Sequence, residues 1–264
     1  MFLCLRVTVP KLFDLYFMSD KRCIVIPFFN EANRFNLASF SSFCKQYSNV
    51  ELCLVDDGSL DQTLDILYLF KKKFPSQVHI IALKKNKGKG EAVFTGVRWG
   101  LSSKKFTQIA FMDADLSTSF TECIRLFDLL DNKLNFVFGS RIKKIDNHIE
   151  RKWYRFFLGR IFATLVSTIL RLPVYDTQCG CKVFSYKYAS IAFASPFLSQ
   201  WIFDIEIFFR LKQNLGTYKF KNSTLEAPLI KWIDGGDSRI APSYAIKVWK
   251  DLYKIFIHYN TKSL

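Results

Sequence analysis

The run FMDADLST closes an apolar stretch with two aspartates, Asp113 and Asp115, separated by one alanine. Carboxylates this close repel each other and gain little from burial, so they ask for a cation. Hard divalent ions such as Mg²⁺ or Mn²⁺ take oxygen ligands, often one or two carboxylates, with substrate phosphates completing the shell. A second acidic pair, Asp56 and Asp57 of LVDDGS, follows another apolar run. Either pair alone also reads as a helix cap. Together they supply what holding a metal against a diphosphate requires. The turn NKGKG leads Lys89 into a helical period, where backbone N–H groups and an ammonium can meet a phosphate. It lacks the glycine and Ser/Thr spacing of a P-loop and follows the third apolar run rather than the first, so ATP hydrolysis of that type is not supported.

The elements that must position these groups follow from periodicity. Strands are expected at 23–27, 50–55, 77–83, 107–112 and 135–139, alternating with helices at 31–47, 61–73, 90–101 and 120–132. This alternation predicts an α/β fold with a mainly parallel, doubly wound sheet, whose ligands bind beyond the carboxyl ends of its strands. The polar clusters PFFNE, DDGS, NKGKG, DADLS and GSR each follow one of the five strands, so they are expected to converge on one site. Beyond Arg141 come a basic loop, an apolar helix over 153–171 that contains Arg160, the stretch VYDTQCGCKVF, the segment SQWIFDIEIFFRL and a strand pair near 217–231. The final stretch spaces apolar residues as a basic amphipathic helix over 242–259.

Half of the 264 residues are apolar, enough for a buried core, and 28 phenylalanines suggest apolar surface that meets something besides that core, such as lipid. The formal charge is +15, with most of the excess in residues 133–264, which favours an anionic partner there. Seven scattered cysteines fit reduced thiols rather than a disulfide framework, and the lone CGC has no second pair to complete a zinc site. Residues 1–21 read as an N-terminal extension without a signal-peptide pattern, and no stretch has the length and apolarity of a confident membrane span. Two readings from other classes stand beside an enzyme. One is a nucleic-acid-binding surface on a catalytically dead fold, which the acids at the strand ends would repel. The other is a lipid-surface scaffold, which has no use for those acids.

The motifs VIPFFNE, LVDDGSLDQT, NKGKGEAVFTG, FMDADLST, FGSR, DTQCGCKVF and WIFDIE occur in the order found in family 2 glycosyltransferases. Over roughly residues 22–240 the chain resembles that family, and the DTQCG and WIFDIE pair is most similar to its dolichyl-phosphate (polyprenyl-phosphate) β-glucosyltransferase branch, with dolichol-phosphate mannose synthases as near relatives. The resemblance implies a GT-A fold with a nucleotide-sugar half over 22–140 and an acceptor half over 141–240. It implies an inverting transfer to a lipid phosphate at the cytoplasmic face of a membrane, most simply glucose from UDP-glucose, with mannose from GDP-mannose, another sugar or another acceptor as the alternative.

Carried over by residue, Pro27, Phe29, Glu31, Val55 and Asp57 would line the nucleoside pocket. Asp113, Ala114 and Asp115 would meet the diphosphate, with Asp113 and Asp115 on the metal and Asp115 most direct. Ser117 stands where mannose synthases often have Gln. Arg141 and Arg160 would hold the acceptor phosphate, since guanidinium forks suit phosphate oxygens and an isoprenoid tail can follow an apolar helix. The alternatives are a structural ion pair for Arg141 and snorkelling for Arg160. Asp176 is the candidate base or acceptor orienter, although a phosphate needs less deprotonation than a sugar hydroxyl. Asp204 and Glu206, beside Trp201, are the alternative pair. Cys181 replaces the Phe usual in the branch, which would widen an acceptor site. The expected partners are therefore a nucleotide sugar, a polyprenyl phosphate and a membrane surface reached peripherally, with no nucleic acid.

Overall fold

A computed structural model describes residues 21–150, 153–233 and 243–261. The N-terminal extension expected over 1–21 lies outside this range except for Lys21, as does the boundary near 240. The first part of the chain alternates as its periodicity demands: β1 (Arg22–Phe28), α1 (Leu37–Gln46), β2 (Val50–Asp56), α2 (Thr63–Lys73), β3 (Val78–Ala82), α3 (Lys89–Ser103), β4 (Gln108–Phe111), α4 (Phe120–Asp128) and β5 (Phe136–Ser140). Then follow β6 (His148–Glu150), α5 (Trp153–Leu170), β7 (Lys182–Ser185), α6 (Tyr186–Ala192), α7 (Phe203–Leu215), α8 (Thr217–Asn222), β8 (Thr224–Pro228), β9 (Lys231–Ile233) and α9 (Ser243–Thr261).

Seven strands form one sheet in the order β3-β2-β1-β4-β7-β5-β8, parallel except for β7, and β6 pairs with β9 in a small second sheet. Every residue of β2 is buried, as a strand covered on both faces requires. The chain runs outward from β1 to β3 and returns to β4 on the other side of β1. The switch point therefore falls between β1 and β4, where such sheets leave a crevice at their carboxyl ends. Pro27 is tolerated in this central strand because the β4 ladder has already ended at Val25 opposite Phe111. On one face, α3 lies so close to the sheet that a methyl on Gly96 would sit 2.3 Å from Val25 Cγ1 and 2.9 Å from Val55 Cγ2.

Two expectations are corrected. The helix expected from residue 31 begins at 37, capped by the Asn36 side chain on the Ser39 amide. The N–H groups of Asn30, Glu31 and Ala32 are instead taken by Ser59, Thr63 and Asp61 from the DDGSLDQT loop, which holds this segment as a loop beside the site. The strand pair near 217–231 is a short helix followed by two strands that belong to different sheets. The C-terminal helix divides its apolar residues between the protein and its surface. Leu252, Ile255 and Tyr259 seat α9 on the protein, with Tyr259 stacked 5.0 Å from Phe209, whereas Trp249 and Phe256 remain exposed.

Candidate active site

A cavity of about 430 Å³ opens at the switch point. Pro27, Phe29 and Glu31 line it from the end of β1, and Asp57 from the end of β2. Asn86, Gly88 and Lys89 enter from the turn into α3, and Asp113, Ala114 and Asp115 from the end of β4. Four of the five polar clusters therefore meet in one place. Asp57 braces the turn from below, accepting the Lys87 and Gly88 amides at 2.8 Å each. Its burial raises its pKa despite those bonds. Val55 does not reach the cavity: a strand alternates faces, and its side chain packs fully buried under Gly96 of α3.

The two acids of DAD have different surroundings. Asp113 Oδ1 meets Lys89 Nζ at 2.5 Å. Its Oδ2 lies against Gly180, where an added Cβ would come within 2.0 Å. Burial opposes the charge on Lys89, but Asp113, Asp204 and Asp115 outweigh it and hold the ammonium above its ordinary pKa. Asp115 is exposed, its Oδ1 accepting the Ser117 amide at 2.9 Å. Ser117 itself lies beyond the cavity lining and is tied to β9 through the Ile233 amide. Among the described residues no group of three or more Asp, Glu, His or Cys could hold a metal. Two carboxylates on a cavity wall instead fit a Mg²⁺ or Mn²⁺ ion shared with a diphosphate, with Asp115 the more available ligand.

Behind this wall runs a set of buried ion pairs. Lys182, fully buried on β7, donates to Asp204 Oδ1 at 2.5 Å and to the Cys179 carbonyl at 2.7 Å. Asp204 is thus locked inside and lies outside the cavity lining. Arg141 grips Asp176 through Nε at 2.7 Å, Nη2 at 2.8 Å and its own amide at 3.0 Å. Burial pushes the Asp176 pKa up, yet the guanidinium more than reverses this and brings it to about 2 from an ordinary 3.8. Arg141 is held correspondingly above its usual value. In this arrangement the Asp176 carboxylate, expected as base or acceptor orienter, is engaged by the Arg141 guanidinium. The ion-pair alternative for Arg141 is the one the structure adopts.

The remaining candidates divide. Trp201 lines the cavity, whereas Glu206 lies fully buried beneath it and accepts the amides of Leu198 and Ser199. Arg160 donates to the Tyr175 carbonyl at 3.0 Å and lies 3.6 Å over the Tyr175 ring. Arg141 and Arg160 thus hold Asp176, the first residue of DTQCG, and Tyr175 just before it. Cys181 does not widen an acceptor site: it is buried in the core beside Cys123, whose thiol and the surrounding burial raise its own. Arg34 and Gln200 also line the cavity, and Lys182 organises the wall behind it. Sequence reasoning passed over all three. The signal for Lys182 was a lysine in an apolar strand, CKVF, which demands a buried acid.

Two predictions follow from these contacts. Asp176 is 7% exposed and its folded pKa lies below the unfolded one, so its stabilisation is complete above about pH 4 and is lost as pH falls toward 2. Asp176→Asn should therefore lower stability at pH 7 by about 2–3 kcal/mol, and denaturant titrations should show the gap from the native protein closing below pH 4. A gap independent of pH would refute the pairing. Gly180→Ala must displace Asp113 and should reduce donor-dependent turnover by about 100-fold, the scale of an ångström misplacement, with the melting transition retained. Unchanged turnover would mean that Asp113 does not need this seat.

Residues 23–190 match the family model Glycosyl transferase family 2. The dolichyl-phosphate beta-glucosyltransferase of Saccharomyces cerevisiae is 32% identical, with 89% of this chain and 74% of that protein covered. That of Homo sapiens is 28% identical, with 97% and 80% covered. Among solved structures, glucosyl-3-phosphoglycerate synthase from Mycobacterium tuberculosis, in complex with Mn²⁺, UDP and glucosyl-3-phosphoglycerate, superposes with a TM-score of 0.62 at 16% identity, covering 91% of this chain and 80% of that one. The fold likeness, the cavity at the switch point and the family match agree: this chain belongs to glycosyl transferase family 2 and is a glycosyltransferase with a GT-A-like fold.

Proposed function

We propose that this enzyme transfers glucose from UDP-glucose to a dolichyl-type polyprenyl phosphate, inverting the sugar carbon. The observation that carries the reading is the convergence of the Glu31, Asp57, Lys89 and Asp113–Asp115 segments on one cavity, with two arginines on the adjoining Tyr175–Asp176 turn. The names of the yeast and human relatives support the sugar and the acceptor, and the UDP and Mn²⁺ held by the Mycobacterium tuberculosis neighbour support the nucleotide and the metal.

The chemistry asks little of a base. An acceptor phosphate oxygen, already anionic near pH 7, attacks the anomeric carbon, and the bond from that carbon to the diphosphate breaks with its electron pair leaving on UDP. Asp115, with Asp113, would hold the divalent ion, which neutralises charge on the departing diphosphate when bound. Lys89 adds a fixed positive charge beside the same acids, and Arg141 and Arg160 orient the acceptor phosphate. With Nε and Nη2 held by Asp176, Arg141 would meet the phosphate through its remaining N–H donors.

Membrane contact is part of this reading. Among the described residues no helix is long and apolar enough to cross a bilayer. Phe157, Ile161 and Leu165 are exposed along one row of α5, and Trp249, Tyr253 and Phe256 along α9, with Lys250 and Lys254 beside them. The two helices touch through Phe162 and Trp249, so the rows lie side by side. This is the composition of a surface that rests peripherally on an anionic bilayer, here assigned to the cytoplasmic face.

Purified protein in detergent with a polyprenyl phosphate should give a metal-dependent lipid-linked product from radiolabelled UDP-glucose, and none after EDTA or in Asp115→Ala. Product from GDP-mannose alone would replace glucose with mannose, and no product from any nucleotide sugar would overturn the lipid-phosphate acceptor. In co-sedimentation, the double variant Lys250→Glu, Lys254→Glu should bind anionic vesicles at least tenfold more weakly, on the order of 1 kcal/mol per basic residue. Equal binding would place the membrane contact elsewhere.

A further inference from the structure

Two walls of the donor cavity, Gln200 and Trp201, belong to a loop and not to a strand or helix. Such a loop must be held from outside, and it is held by the far end of the chain. The Ser199 hydroxyl, buried at 1% exposure, donates to Asp251 Oδ2 at 2.8 Å. Ser199 Oγ in turn accepts the Trp201 and Ile202 amides at 3.3 and 3.2 Å. Asp251 lies on the buried side of α9. One turn before it, Lys247 donates to Gln200 Oε1 at 3.3 Å, and two turns after it the Tyr259 hydroxyl donates to Glu206, the residue that seats the Leu198 and Ser199 amides.

On its other side the loop leans on the phosphate-facing turn. The Gly90 amide donates to the Gln200 carbonyl at 2.7 Å, and a methyl on Gly88 would come within 2.7 Å of Gln200 Cβ. α9 is therefore in continuous contact, through Ser199 and Gln200, with the elements that enclose the nucleotide. Leu252, Ile255 and Tyr259 would suffice to seat the helix by apolar burial. A buried carboxylate among them costs desolvation, and what it contributes is direction: a charge-assisted bond that fixes one serine in one rotamer.

We propose that Asp251 is a positioning residue for the nucleotide sugar, fixing the Gln200–Trp201 wall through Ser199, so that the seating of α9 sets donor affinity. The inference rests on the donor-cavity assignment made under the proposed function. It makes the helix whose outer face carries Trp249 and Tyr253 the same helix whose inner face holds the donor wall.

The test is calorimetric binding of UDP, with GDP in parallel, in saturating Mn²⁺ to the full chain and its variants. Asp251→Ala and Ser199→Ala should each weaken nucleotide binding about tenfold, the scale of a lost hydrogen bond to a charged group. The double variant should be no weaker than Ser199→Ala, which already removes the Asp251 bond together with the two amide contacts on Ser199 Oγ. Asp251→Asn, which keeps an acceptor for the serine, should restore affinity to within about threefold, and the KM for the lipid phosphate should move less than twofold throughout. Nucleotide affinity unchanged in folded Asp251→Ala, or additive losses in the double variant, would overturn the inference. If Asp251→Ala does not fold, Asp251→Leu, which is close in size and lacks an acceptor for the serine, decides by the same criterion. Failure of the native protein to bind either nucleotide would instead remove the donor-cavity assignment, and this inference with it.

Discussion

The Asp113 carboxylate is clamped, with the Lys89 ammonium 2.5 Å from one oxygen and the bare Cα of Gly180 against the other. Lys89 is the first residue of α3, Asp113 follows the end of β4, and Gly180 belongs to the DTQCG turn before β7. One side chain thus fixes three segments remote in sequence. Behind the clamp stand Lys182 with Asp204 and Arg141 with Asp176, four charged groups with little access to water. Buried pairs of this kind seldom add net stability, since desolvation offsets their attraction, but removing one partner is costly because the other is left unpaired. Their effect is geometric: they hold Asp113 on one flank and the arginines on the other at a fixed separation.

The sheet explains why the clamp falls where it does. With β1 flanked by β2 and β4, and the chain direction reversing about β1, the loops after β1 and β4 must diverge and leave a crevice. β7 then enters antiparallel between β4 and β5, which brings its preceding DTQCG turn to the same end of the sheet as the parallel strands' carboxyl ends. A parallel strand in that position would have delivered its preceding turn to the opposite end. The single antiparallel strand is what joins the candidate acceptor arginines to the donor acids.

Much of this was legible because it is periodic or clustered. The five strands of the first half, the polar residues at their ends and the convergence of PFFNE, DDGS, NKGKG and DAD all follow from alternation and from the rule that loops at carboxyl ends bind ligands. Tertiary partners were not legible. Asp176 was expected as base or acceptor orienter, and only the fold shows Arg141 brought onto it. The family resemblance put Val55 in the nucleoside pocket, but strand alternation under Gly96 sends it into the core. Residues 31–36 looked helical until the Ser59, Asp61 and Thr63 side chains competed for their amides. Gln200 carries no sequence signal, since its position depends on a helix about fifty residues away.

In the proposed function Asp113 and Asp115 share a divalent ion with the donor diphosphate and do not bind it alone. Mn²⁺ binding followed by electron paramagnetic resonance, with and without UDP, tests this most directly. The account predicts weak binding to the protein alone, binding tightened at least about tenfold by UDP, and loss of that tightening in Asp115→Ala. Tight binding without nucleotide, or a UDP effect that survives Asp115→Ala, would contradict it.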